Sequence, residues 1–185
     1  MNTASTHRSP PTGASDPVGT GGPEGPRPHT DAELASLMAL LLRDPDARVE
    51  TVTVGRSRDA ASRASADAFA DAWQAQGGTV LAVVDWPETA ASWLRPATRL
   101  TAGPPDAWVV AAALPGFVRL ARRLRHSTGW DPARTYAFAS LQDSRLPTLA
   151  GPDTVHGLRG ATAAGGTWDV RHRWATSYEA AVSVS

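Results

Sequence analysis

The sequence contains no cysteine, no lysine and no isoleucine, and its only asparagine is Asn2. Without cysteine, disulfides, thiolate metal sites and a lipid-anchored N-terminal cysteine are excluded. All 18 basic residues are arginine, and together with the abundant alanine this indicates the codon bias of a GC-rich bacterial genome. Much of the arginine content is therefore explained without any recruitment for phosphate binding.

Net charge and long apolar runs are absent as well. The 18 acidic residues balance the 18 arginines, so no general attraction to nucleic acid or to an anionic membrane is expected. No stretch reaches the roughly 18 apolar residues of a membrane span. Residues 1–29 lack the apolar centre of a secretory signal peptide. On these grounds the sequence predicts a cytoplasmic protein that does not insert into membranes.

The composition changes along the chain and predicts three regions. Residues 1–29 are poor in apolar side chains and rich in proline and glycine, which is typical of a disordered leader. Residues 30–165 carry the pattern of one folded domain, long enough to bury its own core. Residues 166–185 form a C-terminal tail of uncertain structure, in which Trp168 and Trp174 fit no core register.

Within the domain, helical and strand patterns alternate. A capping box at residues 30–33 begins the first helix, and the β-branched residues of 49–55 predict the first strand. The later strands are predicted at residues 79–85, 108–114, 135–139 and 155–162, and the later helices at 59–76, 92–101, 117–124 and 146–149. This order predicts right-handed crossovers and a doubly wound, Rossmann-like α/β fold with a mainly parallel sheet.

In such folds, ligands bind beyond the carboxyl ends of the strands. Four loops meet that description, at residues 55–59, 85–87, 114–117 and 140–143. The candidate ligand-binding residues in or beside these loops are Ser57, Arg58, Asp59, Trp86, Leu114, Ser140, Gln142 and Asp143. For Trp86, stacking on a ligand competes with packing of a crossover loop. Capping of the helix that follows, by Ser57 or Asp59, competes with a role for Ser57 as a nucleophile.

The sequence gives little evidence for a catalytic site or a metal site. Gly55–Asp59 lies at a strand-to-helix turn, but a hydrolase nucleophile elbow requires glycine where Asp59 stands. His126, His156 and His172 are too widely spaced for a metal motif. We therefore predict no catalytic residue, no cofactor and no metal, and keep a small serine hydrolase using Ser57 only as a remote alternative.

The ordered series of elements resembles the second lobe of type 1 periplasmic binding proteins, the solute receptors of branched-chain amino acid ABC transporters. The resemblance covers residues 31–162. It lies in the Gly-Gly-Thr-Val turn into the second strand, in the Pro-Asp-Ala-Trp-Val-Val run of the third strand, and in the Leu-Ala-Gly and Val-His-Gly-Leu segments near residues 149–158. In that family two lobes hold a solute between them.

The resemblance implies a non-enzymatic, solute-binding single lobe. Such a lobe would bind a small polar ligand such as an amino acid, either with a partner lobe or as a homodimer, because one lobe supplies only half a cleft. The alternative is a protein-interaction or regulatory module that has lost its pocket. The small residues Ala61, Ala113 and Ala139 favour this alternative, because they stand near positions that line the cleft in the family.

Overall fold

The computed structural model describes residues 25–43 and 48–180. Seven strands form one sheet in the order β2-β1-β3-β4-β5-β6-β7. The strands are β1 (Thr51–Ser57), β2 (Thr79–Trp86), β3 (Ala107–Ala111), β4 (Thr135–Ala137), β5 (Arg159–Ala161), β6 (Thr167–Arg171) and β7 (Trp174–Tyr178). The helices are α1 (Asp31–Leu42), α2 (Ala60–Ala75), α3 (Leu94–Leu100), α4 (Leu114–Ser127) and α5 (Leu146–Ala150).

The sheet is parallel from β2 through β5, and β6 and β7 continue it in antiparallel pairing. Two hydrophobic clusters lie on its opposite faces. Leu37 of α1 and Phe69 of α2 belong to one cluster, whereas α3, α4 and α5 contribute to the other. Helices therefore cover both faces, and the predicted mainly parallel, doubly wound α/β fold is confirmed.

Several predicted element boundaries are wrong. The third strand ends at Ala111 rather than at Leu114, because Leu114 is already the first residue of α4 and Ala113 is its N-cap. The buried stripe of α2 runs through Ser62, Ser65, Ala66, Phe69 and Trp73, whereas Ala64 is exposed. Because alanine occurs on every side of α2, the positions of its alanines do not show which face of the helix is buried.

The C-terminal segment forms a hairpin that extends the sheet. Trp168 on β6 is 1% exposed, and its indole N–H donates to the carbonyl oxygen of Ala161 at 3.0 Å. The prediction that Trp168 lies outside the core is therefore wrong, whereas Trp174 on β7 is indeed 75% exposed. In β6 the buried residues Trp168 and Val170 alternate with more exposed ones, which is the period-two signal of a strand packed on one face.

Most of the predicted leader lies outside the described residues. Its last residues, 25–29, have no regular structure, and the His29 ring lies edge-on to Phe138 with the ring centroids 5.9 Å apart. The division into leader, domain and tail thus remains a prediction from composition.

Asp106 joins the start of β1 to the start of β3. Its Oδ2 accepts the N–H of Thr51 at 2.7 Å, the hydroxyl of Thr51 at 2.8 Å and the N–H of Glu50 at 3.0 Å. Burial by itself would raise the pKa of Asp106, but these hydrogen bonds outweigh burial and lower it. The charged carboxylate therefore stabilises the strand junction.

Replacing Asp106 by alanine is expected to lower the free energy of unfolding at pH 7 by roughly 1.5–3 kcal/mol, the range for hydrogen bonds to a charged group. Because the pKa of Asp106 is depressed in the folded state, this contribution is present above the ordinary value of 3.8 and is lost as the pH falls through the lower folded value. Urea titrations across the acidic range measure this loss. Asp71→Ala on the exposed face of α2 is the control, and an equal loss in both variants would contradict the role of Asp106.

Candidate functional site

A hydrogen-bond network lies at the carboxyl edge of the parallel strands. The side chain of Ser57, the last residue of β1, is fully buried and donates to Oε1 of Glu88 at 2.6 Å. The same hydroxyl accepts the N–H of Ala113 at 3.0 Å. Glu88 follows β2, and its Oε2 accepts the N–H of Gly116 at 2.7 Å. One half-buried carboxylate thus links the ends of three neighbouring strands.

Glu88 also supplies the N-terminal cap that α4 does not provide for itself. The N-cap residue, Ala113, has no side chain that can accept a hydrogen bond. A carboxylate placed there satisfies an otherwise orphan N–H and interacts favourably with the positive end of the helix dipole. Gly116 permits this approach, since a Cβ at its position would lie 2.6 Å from Oε2 of Glu88.

Arg58 and Asp59 follow β1 directly and point to different partners. Nε of Arg58 lies 3.3 Å from Oδ2 of Asp85, and both side chains are about half exposed. Oδ1 of Asp59 accepts the N–H of Ser62 at 2.8 Å, so Asp59 is the N-cap of α2. The capping role considered for Asp59 is therefore present, and its Oδ2 is buried without a hydrogen-bond partner.

Two of the apolar candidates belong to the core rather than to the rim. Trp86 is fully buried, and a Cβ at Gly55 would lie 2.9 Å from its ring. Of the two roles considered for Trp86, the structure shows packing and not an exposed ring for ligand stacking, because the last residue of β2 points into the cluster beneath α3 and α4. Leu114 is half-buried as the first residue of α4 and packs against the same cluster.

The candidates after β4 have partners of their own. Nε2 of Gln142 donates to Oγ of Ser177 on β7 at 2.8 Å, so Gln142 extends toward the C-terminal hairpin. Asp143 forms an ion pair with Arg145 at 2.7 Å, and hydrogen bonds from Arg145 lower the pKa of Asp143. Ser140 is partly exposed in the short 3₁₀ turn after β4. The structure does not bring these three residues into the network around Glu88.

Another carboxylate, that of Glu33, is buried near the end of β4. Oε1 of Glu33 accepts the N–H of Ala139 at 2.5 Å, and its Oε2 completes the predicted capping box with Thr30. Burial raises the pKa of Glu33, and the hydrogen bonds from Ala139 and Thr30 offset part of that increase. Glu33 therefore fixes the start of α1 to the carboxyl edge.

Two surface cavities lie away from this edge. One, of about 300 Å³, borders Trp108 and Arg134, and the other, of about 430 Å³, borders Trp73 and Glu50. Both lie at the amino-terminal ends of the strands. Within residues 25–43 and 48–180, no three metal-ligating side chains come together, and no helix is long and apolar enough to cross a membrane. Both cavities thus lie at the opposite edge of the sheet from the polar groups around Glu88.

Sequence reasoning missed Glu88 and Gly116, and for Glu33 it predicted the capping box but not the contact with Ala139. Glu88 lies just beyond the loop at residues 85–87 that the strand pattern indicates, and it contacts residues 28 and 31 positions away. One local signal was available. Helix α4 begins at Leu114-Pro115-Gly116 without any capping side chain, which indicates that a distant acceptor caps it.

An α/β sheet covered on both faces, with polar groups gathered at the carboxyl edge, has the architecture of a lobe of a solute-binding protein. A family model described as periplasmic binding protein matches residues 14–183. The chain belongs to this family. No curated protein sequence matches it.

Solved structures show the same fold. A substrate-binding periplasmic protein from Ralstonia solanacearum is 19% identical, with a TM-score of 0.60 over 73% of this chain and 37% of that one. A leucine-binding protein from Thermotoga maritima is 19% identical, with a TM-score of 0.57 over 70% of this chain and 36% of that one. An extracellular ligand-binding receptor from Rhodopseudomonas palustris is 21% identical, with a TM-score of 0.57 over 70% and 34%. The chain thus spans about a third of the length of these structures.

The comparisons confirm the resemblance to branched-chain amino acid receptors and the partial-lobe fold. They contradict the predicted cytoplasmic location, because the matched family and the solved neighbours are periplasmic or extracellular proteins. That prediction was inferred from the absence of a signal in residues 1–29, and an absence there carries no information on location. The family is a solute-binding and non-enzymatic one.

Proposed function

We propose that this chain is a non-enzymatic solute-binding lobe whose carboxyl edge forms half of a site for a small amino-containing solute, such as an amino acid. The observation that carries the proposal is the Glu88 carboxylate at the N-terminus of α4, held by Ser57 and Gly116. A companion lobe would supply the other half, because one lobe offers only half of a cleft in which to bury a ligand.

Glu88 has the properties required to bind an ammonium group. Its two oxygens carry about four lone-pair sites, of which Ser57 and Gly116 occupy two. The side chain is held at both oxygens and is only partly buried, so little ordering is needed when a ligand binds. Ser57 contributes by positioning this carboxylate, since its own side chain is fully buried.

Glu88→Gln is expected to weaken amino acid binding about tenfold or more, because a charge-assisted hydrogen bond contributes roughly 1.5–3 kcal/mol. Equilibrium dialysis against a panel of amino acids, with and without a companion lobe, measures the change. Asp85→Asn removes a nearby negative charge outside the network and should change binding by less than about twofold. Equal effects of the two variants, or no retention of any amino acid by the unaltered protein, would contradict the proposal.

The second candidate is an interaction or regulatory module that has kept the fold and lost the pocket. It is favoured by two internal contacts, Gln142 with Ser177 and Asp143 with Arg145. Both candidate ligand-binding residues, Gln142 and Asp143, therefore already have polar partners within the protein. Dialysis that retains no solute, in a protein shown to be folded by circular dichroism, would favour this candidate. The serine hydrolase alternative is disfavoured, because Ser57 is buried and neither of its hydrogen-bond partners is a histidine.

A further inference from the structure

Strand β7 lies at one end of the sheet, and no strand of the described residues pairs with its outer side. Its five residues, Trp174–Tyr178, include no charge and no proline, and the pairing of β6 with β7 has no bulge. The opposite edge, β2, contains Asp85, and its pairing with β1 is irregular. Charges, prolines and bulges are the features that keep edge strands from pairing with other chains. β2 therefore has such protection, whereas β7 has none.

We infer that β7 is the self-association edge of this protein and pairs antiparallel with β7 of a second copy, about a two-fold axis at Thr176. In that register Arg173 faces Glu179 of the second copy, and Trp174 faces Tyr178. Each pairing occurs twice because the contact is symmetric. When two β7 strands pair in this way, oppositely charged side chains face each other, and aromatic rings face each other.

The backbone hydrogen bonds fit the same register. His172 and Arg173 form a two-residue turn between β6 and β7, and Arg171 pairs with Trp174 across it. The pair next to such a turn is hydrogen-bonded, so Trp174 and every second residue after it direct their N–H and C=O groups toward β6. Ala175 and Ser177 then direct theirs outward, and a two-fold axis at Thr176 pairs these two residues with each other.

The side chains at the edge are available for this contact. Trp174 is 75% exposed and Tyr178 is 46% exposed, and they lie on the same face of the strand as Thr176. In the symmetric register, Trp174 and Tyr178 of the second copy are a non-hydrogen-bonded pair, in which side chains approach most closely. Arg173 and Glu179 are exposed at the two ends of the strand. The dimer would cover the two most exposed aromatic side chains of the hairpin.

This dimer does not supply the second half of the proposed solute site. A two-fold axis perpendicular to the sheet makes the strands of the two copies run in opposite directions, so their carboxyl edges face opposite ways. Each Ser57–Glu88 network therefore remains open to its own companion lobe. The inference does not depend on the proposed function, and either can fail without the other.

A charge-exchange series tests the register by sedimentation equilibrium. The unaltered protein is expected to dimerise at millimolar concentration. Arg173→Glu and Glu179→Arg should each weaken the dimer by roughly tenfold, because two attractive pairs become two repulsive ones. The double variant Arg173→Glu/Glu179→Arg should restore it. A protein that stays monomeric, or a double variant as weak as the single ones, would overturn the inference.

Cysteine cross-linking tests the two-fold axis directly, because the chain has no cysteine of its own. In the symmetric register the two Thr176 Cα atoms lie about 4.5 Å apart, within reach of a disulfide. Thr176→Cys should therefore form a covalent dimer under mild oxidation. Thr98→Cys, at an exposed position of α3, measures random collision, and cross-linking no faster in Thr176→Cys than in this control would exclude the register.

Discussion

Replacing Trp168 by alanine is expected to lower the free energy of unfolding by about 3–5 kcal/mol, the cost of removing a large buried aromatic side chain. Trp168 is 1% exposed and lies in the cluster beneath α4 and α5. Its indole covers Gly160 of β5, and its N–H donates to the carbonyl of Ala161. The substitution would therefore leave a cavity and an unpaired carbonyl where β5 meets β6.

Trp174→Ala is the matched control, since Trp174 lies on the same hairpin and is 75% exposed. Its loss should change stability by less than about 0.5 kcal/mol, as is usual for surface positions. Urea denaturation followed by circular dichroism gives both values at low protein concentration, where association does not contribute. If the two substitutions cost the same small amount, the hairpin is not part of the hydrophobic core.

Gly160→Ala is expected to destabilise the fold by about 3 kcal/mol, at the upper end of the usual range for overpacking. A Cβ at this position would lie 2.0 Å from the carbonyl oxygen of Ala137 on β4 and 2.7 Å from the ring of Trp168. The first of these atoms is backbone, so it cannot move without separating β4 from β5. Both strands have only three residues, which leaves few other hydrogen bonds to hold the junction.

Gly129→Ala provides the comparison, because no atom lies within 4 Å of the Cβ it would add. This substitution should be neutral or stabilise by up to about 1 kcal/mol, since alanine restricts the unfolded chain more than glycine does. Thermal and urea unfolding of the two variants measure the difference. A Gly160→Ala protein as stable as Gly129→Ala would show that β4 and β5 are not packed as closely as described.

The sequence predicted the sheet because the first three parallel strands are short segments rich in β-branched or apolar residues. The run from Ala107 to Ala111 is buried at every position, and such a run indicates a central parallel strand whatever its neighbours are. The capping box of Thr30 and Glu33 was predictable for the same reason, since its partners are three residues apart. Local patterns therefore determine most of the elements and their order.

The candidate site was less predictable because its hydrogen bonds join residues distant in sequence. The strand pattern indicated the loop that ends at residue 87, yet only the fold shows that Glu88 reaches both Ser57 and Gly116. Trp86, two residues earlier, was a candidate for ligand contact and is fully buried. The sequence predicted that β2 ends at residue 85, so it did not show that Trp86 is the last residue of the strand and still points into the core.

The hairpin was missed for a related reason. Trp168 and Val170 show the alternation of a half-buried strand, but the segment follows a parallel unit without any helix, so the alternating pattern of strand and helix stops there. An antiparallel extension of a parallel sheet is common at sheet edges.

A heteronuclear NMR titration of this protein with a panel of amino acids tests the central claim most directly. If the carboxyl edge is half of a solute site, the amide signals that shift will be those of Ser57, Glu88 and the start of α4. In Glu88→Gln the same shifts will require about tenfold more solute, or more. Signals that stay unchanged at saturating solute, or that shift only around Trp73 and Trp108 at the opposite edge, would contradict it.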